Sequence, residues 1–163
     1  MSVQTSYNFA TDKGVAGGLY DLSPYAVNSR RNESANGVLK FGMGVVVGTA
    51  AGNQVKVPTA TTGKFEGIAL NGFSTELDIA GNLVVKNGDT VGVLAKGRAW
   101  ARIKPGITVA YGDDVYLIAS GDNAGLFTNA EEKQDTTVLS IKITNAKFIG
   151  VRGTGDVAPI ELD

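Results

Sequence analysis

At 163 residues, 43% of them hydrophobic, the chain is long enough for one domain with a buried core and too apolar to be globally disordered. Its 15 basic and 16 acidic side chains leave a net charge of −1, which gives no broad electrostatic reason to bind nucleic acid. Cysteine and histidine are both absent, so disulfides, thiolate- or histidine-ligated metals, Ser-His-Asp and Cys-His catalysis and histidine pH switching are excluded together.

No apolar run approaches the ~18–20 residues of a membrane span. The N-terminus, MSVQTSYNFATDKG, is polar and lacks the basic-then-apolar order of a signal peptide, which predicts an intracellular, soluble product. Residues 1–36 are rich in Ser, Asn and Gly, with Tyr7, Phe9, Tyr20 and Tyr25 scattered through them and no sustained period. They predict an extended arm, pinned by packing its aromatics on a neighbour or on its own barrel, or else a partly ordered terminus. The remaining residues, 37–163, predict a single β-rich core.

In that core, Val38–Gly48 opens with strand-favouring valines and a Gly42-Met43-Gly44 that suggests a bulge or a close backbone approach. Gln54–Val57, Phe65–Leu70 and Leu83–Lys86 read as short strands, with Asn71-Gly72 and Asn87-Gly88 as turns. Ser74–Ala80 reads either as one helical turn capped by Ser74 or as a loop with a short strand. Asn87–Ser120 organises the chain: apolar runs Val91–Leu94, Ala99–Ile103 and Val115–Ile118 are separated by turn residues. They predict a hairpin around Gly97, then a loop into another strand. Gly121–Gly125 is a loop, Leu126–Thr128 a brief strand, and Asn129–Gln134 a charged connection or a helical turn. Thr136–Thr144 alternates, with Leu139, Ile141 and Ile143 inward. Phe148–Val151 and Val157–Leu162 are two more strands. Lys64–Ile68 and Lys147–Val151 both read K-F-x-G-[IV], which suggests two strands in similar settings with glycine where another backbone crosses. Many short strands and few helices predict an all-β fold, a β-sandwich or jelly-roll-like domain with an extended N-terminal arm.

Candidate chemistry is sparse. Gly42-Met43-Gly44 with Gly48 is followed by Val45–Val47, strand material, where a dinucleotide site needs a helix N-terminus. Asp113-Asp114 with Asp122 lacks the ligand spacing of a calcium loop and reads as a turn. Nothing in the sequence brings Glu66 and Glu76, or Glu131 and Glu132, together at a cleft as a glycosidase pair requires. No catalytic, cofactor or metal residues are therefore assigned, and no enzyme is predicted. Arg30-Arg31, with Arg98, Arg102 and Lys104, offers contacts to an acidic surface. Arg98, Trp100 and Arg102 fall on one side of an alternating strand, with Ala99, Ala101 and Ile103 opposite. That side is either a solvated face with the tryptophan covered by arginine stems or an interface anchor. The candidate interface residues are Tyr7, Phe9, Tyr20, Tyr25, Arg30, Arg31, Arg98, Trp100 and Arg102.

Phe65–Leu70, then NGDTVGV, KGRAWARI, AYGDDVYL and finally KFIGV follow one another in an order that resembles the capsid cement, or decoration, proteins of tailed bacteriophages. The matching positions are Gly97 to Trp100, Ala110 to Tyr116 and Phe148 to Val151, and the resemblance runs from about Lys64 onward, leaving out the arm. It implies a virion protein on the outer surface of an icosahedral head, made in the bacterial host cytoplasm. It also implies bridging of neighbouring major capsid subunits as a small homo-oligomer, a dimer foremost or a trimer, with no cofactor, membrane or direct nucleic-acid contact. A tail or fibre component is the other reading, and an enzyme or small-ligand binder a third.

Overall fold

The computed structural model describes residues 14–72, 83, 85–151, 153 and 156–163. They form an all-β structure of eleven strands with no helix among the described residues. These are β1 (Ala26–Asn32), β2 (Gly44–Val47), β3 (Gln54–Lys56), β4 (Phe65–Ala69), β5 (Thr90–Arg102), β6 (Asp114–Ile118), β7 (Phe127–Thr128), β8 (Lys133–Gln134), β9 (Thr137–Val138), β10 (Ser140–Phe148) and β11 (Val157–Leu162). Val, Ile and Thr fill 19 of the 58 strand positions and glycine recurs in the breaks between them, in line with β-branched stiffness and backbone freedom.

Nine strands make one sheet in the order β1-β3-β2-β4-β5-β11-β10-β6-β7, and β1 also pairs with β5. That extra pairing closes β1, β3, β2, β4 and β5 into a ring. The other half also doubles back. Ile103, just beyond β5, bridges Phe127 of β7, and the Lys104 N–H donates to the Phe127 carbonyl at 2.8 Å. Two apolar clusters fill the molecule. One gathers Leu39, Phe41, Met43, Val45, Val55, Ala69 and Val93. The other holds Ala99, Ile103, Leu117, Phe127, Phe148 and Ile160 together with Val46, Ile68 and Leu94. Neighbours in sequence (Val45 and Val46, Ile68 and Ala69, Val93 and Leu94) fall in different clusters. The β2-β4-β5 sheet is therefore buried on both faces, which makes the packing sandwich-like.

The largest departure from the sequence reading is at Gly97. Val91–Leu94 and Ala99–Ile103 are not the arms of a hairpin; all but Ile103 lie, with their connection, in one strand of thirteen residues, Thr90–Arg102. Gly97 sits inside it at φ +118° because Tyr25 lies against it: a Cβ there would stand 2.7 Å from the Tyr25 Cβ. The glycine answers a close approach, and the chain does not turn. Other corrections are smaller. Val85 and Lys86 are not in a strand; Val85 is buried from a loop. Asn129–Gln134 makes no helical turn but bends into the β8–β9 hairpin. Phe148 ends β10 rather than opening a strand. Ser74–Ala80 lies outside the described residues.

The described part of the first 36 residues is bonded to its own core. β1 runs antiparallel to β5, from Ala26 opposite Lys96 to Arg31 opposite Thr90, and parallel to β3. Upstream, Leu19 bridges Ala99, and the Gly17 and Tyr20 N–H groups donate to the Trp100 and Arg98 carbonyls. Asn32 and Ser34, both buried, complete the attachment. Asn32 Nδ2 donates to the Lys86 carbonyl at 3.0 Å, and Ser34 Oγ accepts the Val57 N–H at 2.8 Å.

Candidate interaction surface

The alternation of β5 works as its sequence implies. Ala99, Ala101 and Ile103 are buried in the core, and Arg98, Trp100 and Arg102 are half-buried on the opposite side. That side is covered by the chain's own N-terminal segment. The Tyr20 ring lies 5.5 Å from that of Trp100, tilted by 54°. Gly14 packs so closely on the indole that a Cβ there would meet it at 2.7 Å. Trp100 therefore anchors this chain to itself.

Arg98 is the hub of an ion-pair chain. It bonds Glu161 of β11 at 2.7 Å and Asp21 at 2.9 Å, and Glu161 also meets Lys147 at 3.2 Å. The Arg98 hydrogen bond holds the Glu161 carboxyl below its ordinary range against the opposing effect of burial. Asp21 is lowered too, first by its Ser23 hydroxyl and then by Arg98. Arg102 donates through Nε to the Phe41 carbonyl at 2.8 Å, and burial lowers its pKa. Arg30 on β1 places Nε and Nη2 on one Glu66 oxygen, at 3.0 and 2.8 Å. Arg31 is exposed and touches the Gly88 carbonyl at 3.3 Å. Tyr25 is half-exposed over Gly97. Tyr7 and Phe9 lie outside the described residues. Of the other acidic candidates, Asp113 accepts from the Ala110 N–H and Asn129 Nδ2, as a turn residue does, and Asp114 pairs with Lys142 at 2.6 Å.

The Arg98–Glu161 pair has an acid-side consequence. Because the folded chain lowers the Glu161 pKa, the pair stabilises fully above the ordinary glutamate range and loses that contribution as pH falls through the lower, folded value. Arg98→Met is expected to melt below wild type at neutral pH, with the gap narrowing as pH falls below the ordinary glutamate range. Thermal melts across that range check it, and a gap independent of pH would locate the effect in packing instead.

Sequence reasoning missed the residue that the hub displays. Leu22 is 89% exposed, at the tip of the turn Asp21–Pro24. The turn is built: Asp21 Oδ1 accepts the Ser23 N–H at 3.1 Å and the Ser23 hydroxyl as well, while Asp21 Oδ2 is held by Arg98. Val15 at 63%, Tyr20, Tyr25 at 52% and Val27 at 41% are exposed along the same short segment. The sequence signal was there, in apolar residues set singly among Ser, Asp and Asn, but it reads equally well as a tail.

Among the described residues, Val15, Tyr20, Leu22, Tyr25 and Val27 are exposed on this one braced segment, while Val38, Leu83, Tyr111, Val138 and Val151 are exposed elsewhere on the all-β fold. The profile of the family described as "Structural cement protein (E217 gp24/Pam3 gp6)" matches residues 3–163, and the chain belongs to that family: it is a bacteriophage capsid cement, or decoration, protein. Among solved structures, a chain from "The capsid of Myoviridae Phage XM1" superposes with a TM-score of 0.71 at 18% identity, covering 100% of this chain and 98% of that one. At that identity the likeness shows the shared fold. No curated protein sequence matches the chain significantly.

Proposed function

We propose that the protein binds the outer surface of an icosahedral phage head through the exposed face of its N-terminal segment. There it staples neighbouring major capsid subunits and braces the shell against the pressure of packaged DNA. Leu22 carries this reading. A leucine held in water on a hydrogen-bonded, ion-paired turn adds nothing to the fold, and such pre-ordered apolar side chains make interface anchors, because little entropy is lost when they dock. Tyr20, Tyr25 and Val27 extend the contact, with Arg31 at its polar end. Tyr7 and Phe9 continue the aromatic series in sequence. Arg30, Arg98, Trp100 and Arg102 act behind the surface, bonded within the chain, and position it.

The protein acts as a small homo-oligomer, a dimer before a trimer, so that several modest contacts add through tethering. It has no catalytic activity, is made in the bacterial host cytoplasm and resides on the virion. Leu22→Asp is expected to leave the melting curve unchanged and weaken binding to expanded shells lacking the cement protein by about 2 kcal/mol per contact. Sedimentation of shells with labelled protein measures this. Unchanged occupancy would move the capsid-binding face elsewhere.

A further inference from the structure

The outward face of β1 changes character along its length. Tyr25 and Val27 are exposed and apolar, whereas Ser29 and Arg31 are exposed and polar. At about 3.4 Å per residue along a strand, Arg31 stands roughly 14 Å from Val27. It opens into a surface cleft lined by Ser29, Arg30, Ala50, Asn53, Gln54 and Thr90, among which there is no carboxylate. The Arg30 charge is already answered by Glu66. The Arg31 charge is not: among the described residues its guanidinium is bonded to the Gly88 carbonyl alone. The other N–H donors of this side chain, which lines the cleft, have no protein acceptor among the described residues.

Hydroxyl and amide side chains around one uncompensated guanidinium suit a single carboxylate, which the planar fork grips with two parallel hydrogen bonds. A phosphate polymer would need a row of such cations, and the neighbouring apolar strip at Tyr25 and Val27 favours a protein. We propose that this cleft receives an Asp or Glu side chain of a capsid subunit, set about 14 Å along from the apolar contact. The inference rests on the capsid-binding reading and gives that surface a polarity: apolar at one end, acid-accepting at the other.

The test compares wild type, Arg31→Gln, Arg31→Lys, Arg31→Glu and Leu22→Asp for binding to shells of the parent phage lacking this protein, at about 50 and 300 mM NaCl. Arg31→Gln is expected to weaken binding about tenfold and flatten its salt dependence. Arg31→Lys should retain part of the affinity, and Arg31→Glu should bind more weakly than Arg31→Gln through like-charge repulsion. If the glutamine and glutamate variants bind as wild type does while Leu22→Asp fails, the carboxylate inference falls and the capsid-binding reading stands. If they bind equally weakly with unchanged salt dependence, the loss is one of packing and the inference also falls. If wild type does not bind the shells, the capsid-binding reading itself fails. A single-stranded DNA oligomer whose binding depends on Arg31 when shell binding does not would assign the cleft to nucleic acid and overturn the proposal.

Discussion

A chain lacking residues 1–36 is expected to lose cooperative unfolding. β1 has neighbours on both sides, β3 and β5, and without it the first ring has no closure. The deletion would leave β5 edge groups between Thr90 and Lys96 unpaired and remove the short bridge at Ala99. It would also strip away Ser34, so the buried Val57 N–H would lose its partner. A buried polar group left without a partner costs about 1–3 kcal/mol, and a typical domain's whole stability is about 5–15 kcal/mol. Circular dichroism and calorimetric melts of the truncated chain check this: a broad transition with a low enthalpy is expected. A sharp transition of near-normal enthalpy would make the segment an appended arm, separable from a core of 37–163.

Gly67→Ala is the point change with the largest expected effect on stability. Gly67 lies within β4 at φ +155°, and a Cβ there would stand 2.1 Å from the Leu94 carbonyl oxygen, far inside any tolerable contact. That oxygen belongs to the backbone of β5, held by pairing on both sides, and cannot swing away as a side-chain end would. Overpacking and a left-handed backbone together are expected to cost about 3 kcal/mol or more, which for a chain of this size lowers Tm by roughly 10 °C. Gly52→Ala is the control. It shares a positive φ, +79°, but a Cβ there meets nothing within 4 Å, so only the backbone term of about 1–2 kcal/mol remains. Equal melting of the two variants would show that the close approach at Leu94 is relieved without penalty.

The same glycine shows how much the sequence made legible. The two K-F-x-G-[IV] stretches predicted strands in similar settings with glycine where another backbone crosses, which holds at Gly67 within β4 but not at Gly150, which lies beyond the end of β10. Gly67 meets backbone, and Gly150 meets the Pro159 ring, 2.8 Å from a notional Cβ. β3, β4, β6 and β11 were readable because their apolar residues are β-branched, short in run and bounded by turn residues. The sides of β5 were readable from strict alternation. β1 was not, because AVNSRRN puts Asn28, Arg30 and Asn32 on its more buried side. Polar residues that are buried with partners look in sequence like those that are solvated. Gly97 misled for a related reason: the Tyr25 contact that demands a glycine is 72 residues away in the chain. The proposed interface was half legible. Its aromatics and arginines were visible, but whether each meets water, a partner or its own chain is decided by tertiary packing. Leu22 was invisible because nothing local announces that a turn is braced.

β5 also sets an order of events. Its first half closes one ring with β1, and its second half seeds the other with β11. A ribosome emits residues at about 5–20 per second, so β1 waits several seconds, with only its short β3 pairing available, before Thr90–Arg102 emerges. β11 must then find the same strand from the other direction. Three of the ten strand pairings, β1–β5, β4–β5 and β11–β5, thus wait on this one strand, and the first and last of them are long-range, the high-contact-order regime in which folding takes milliseconds to seconds. Until that strand arrives, Tyr25, Val27 and the unpaired β1 backbone stay open to strangers. The segment proposed to grip the shell is therefore also the one whose premature encounters the folding chain has most to avoid.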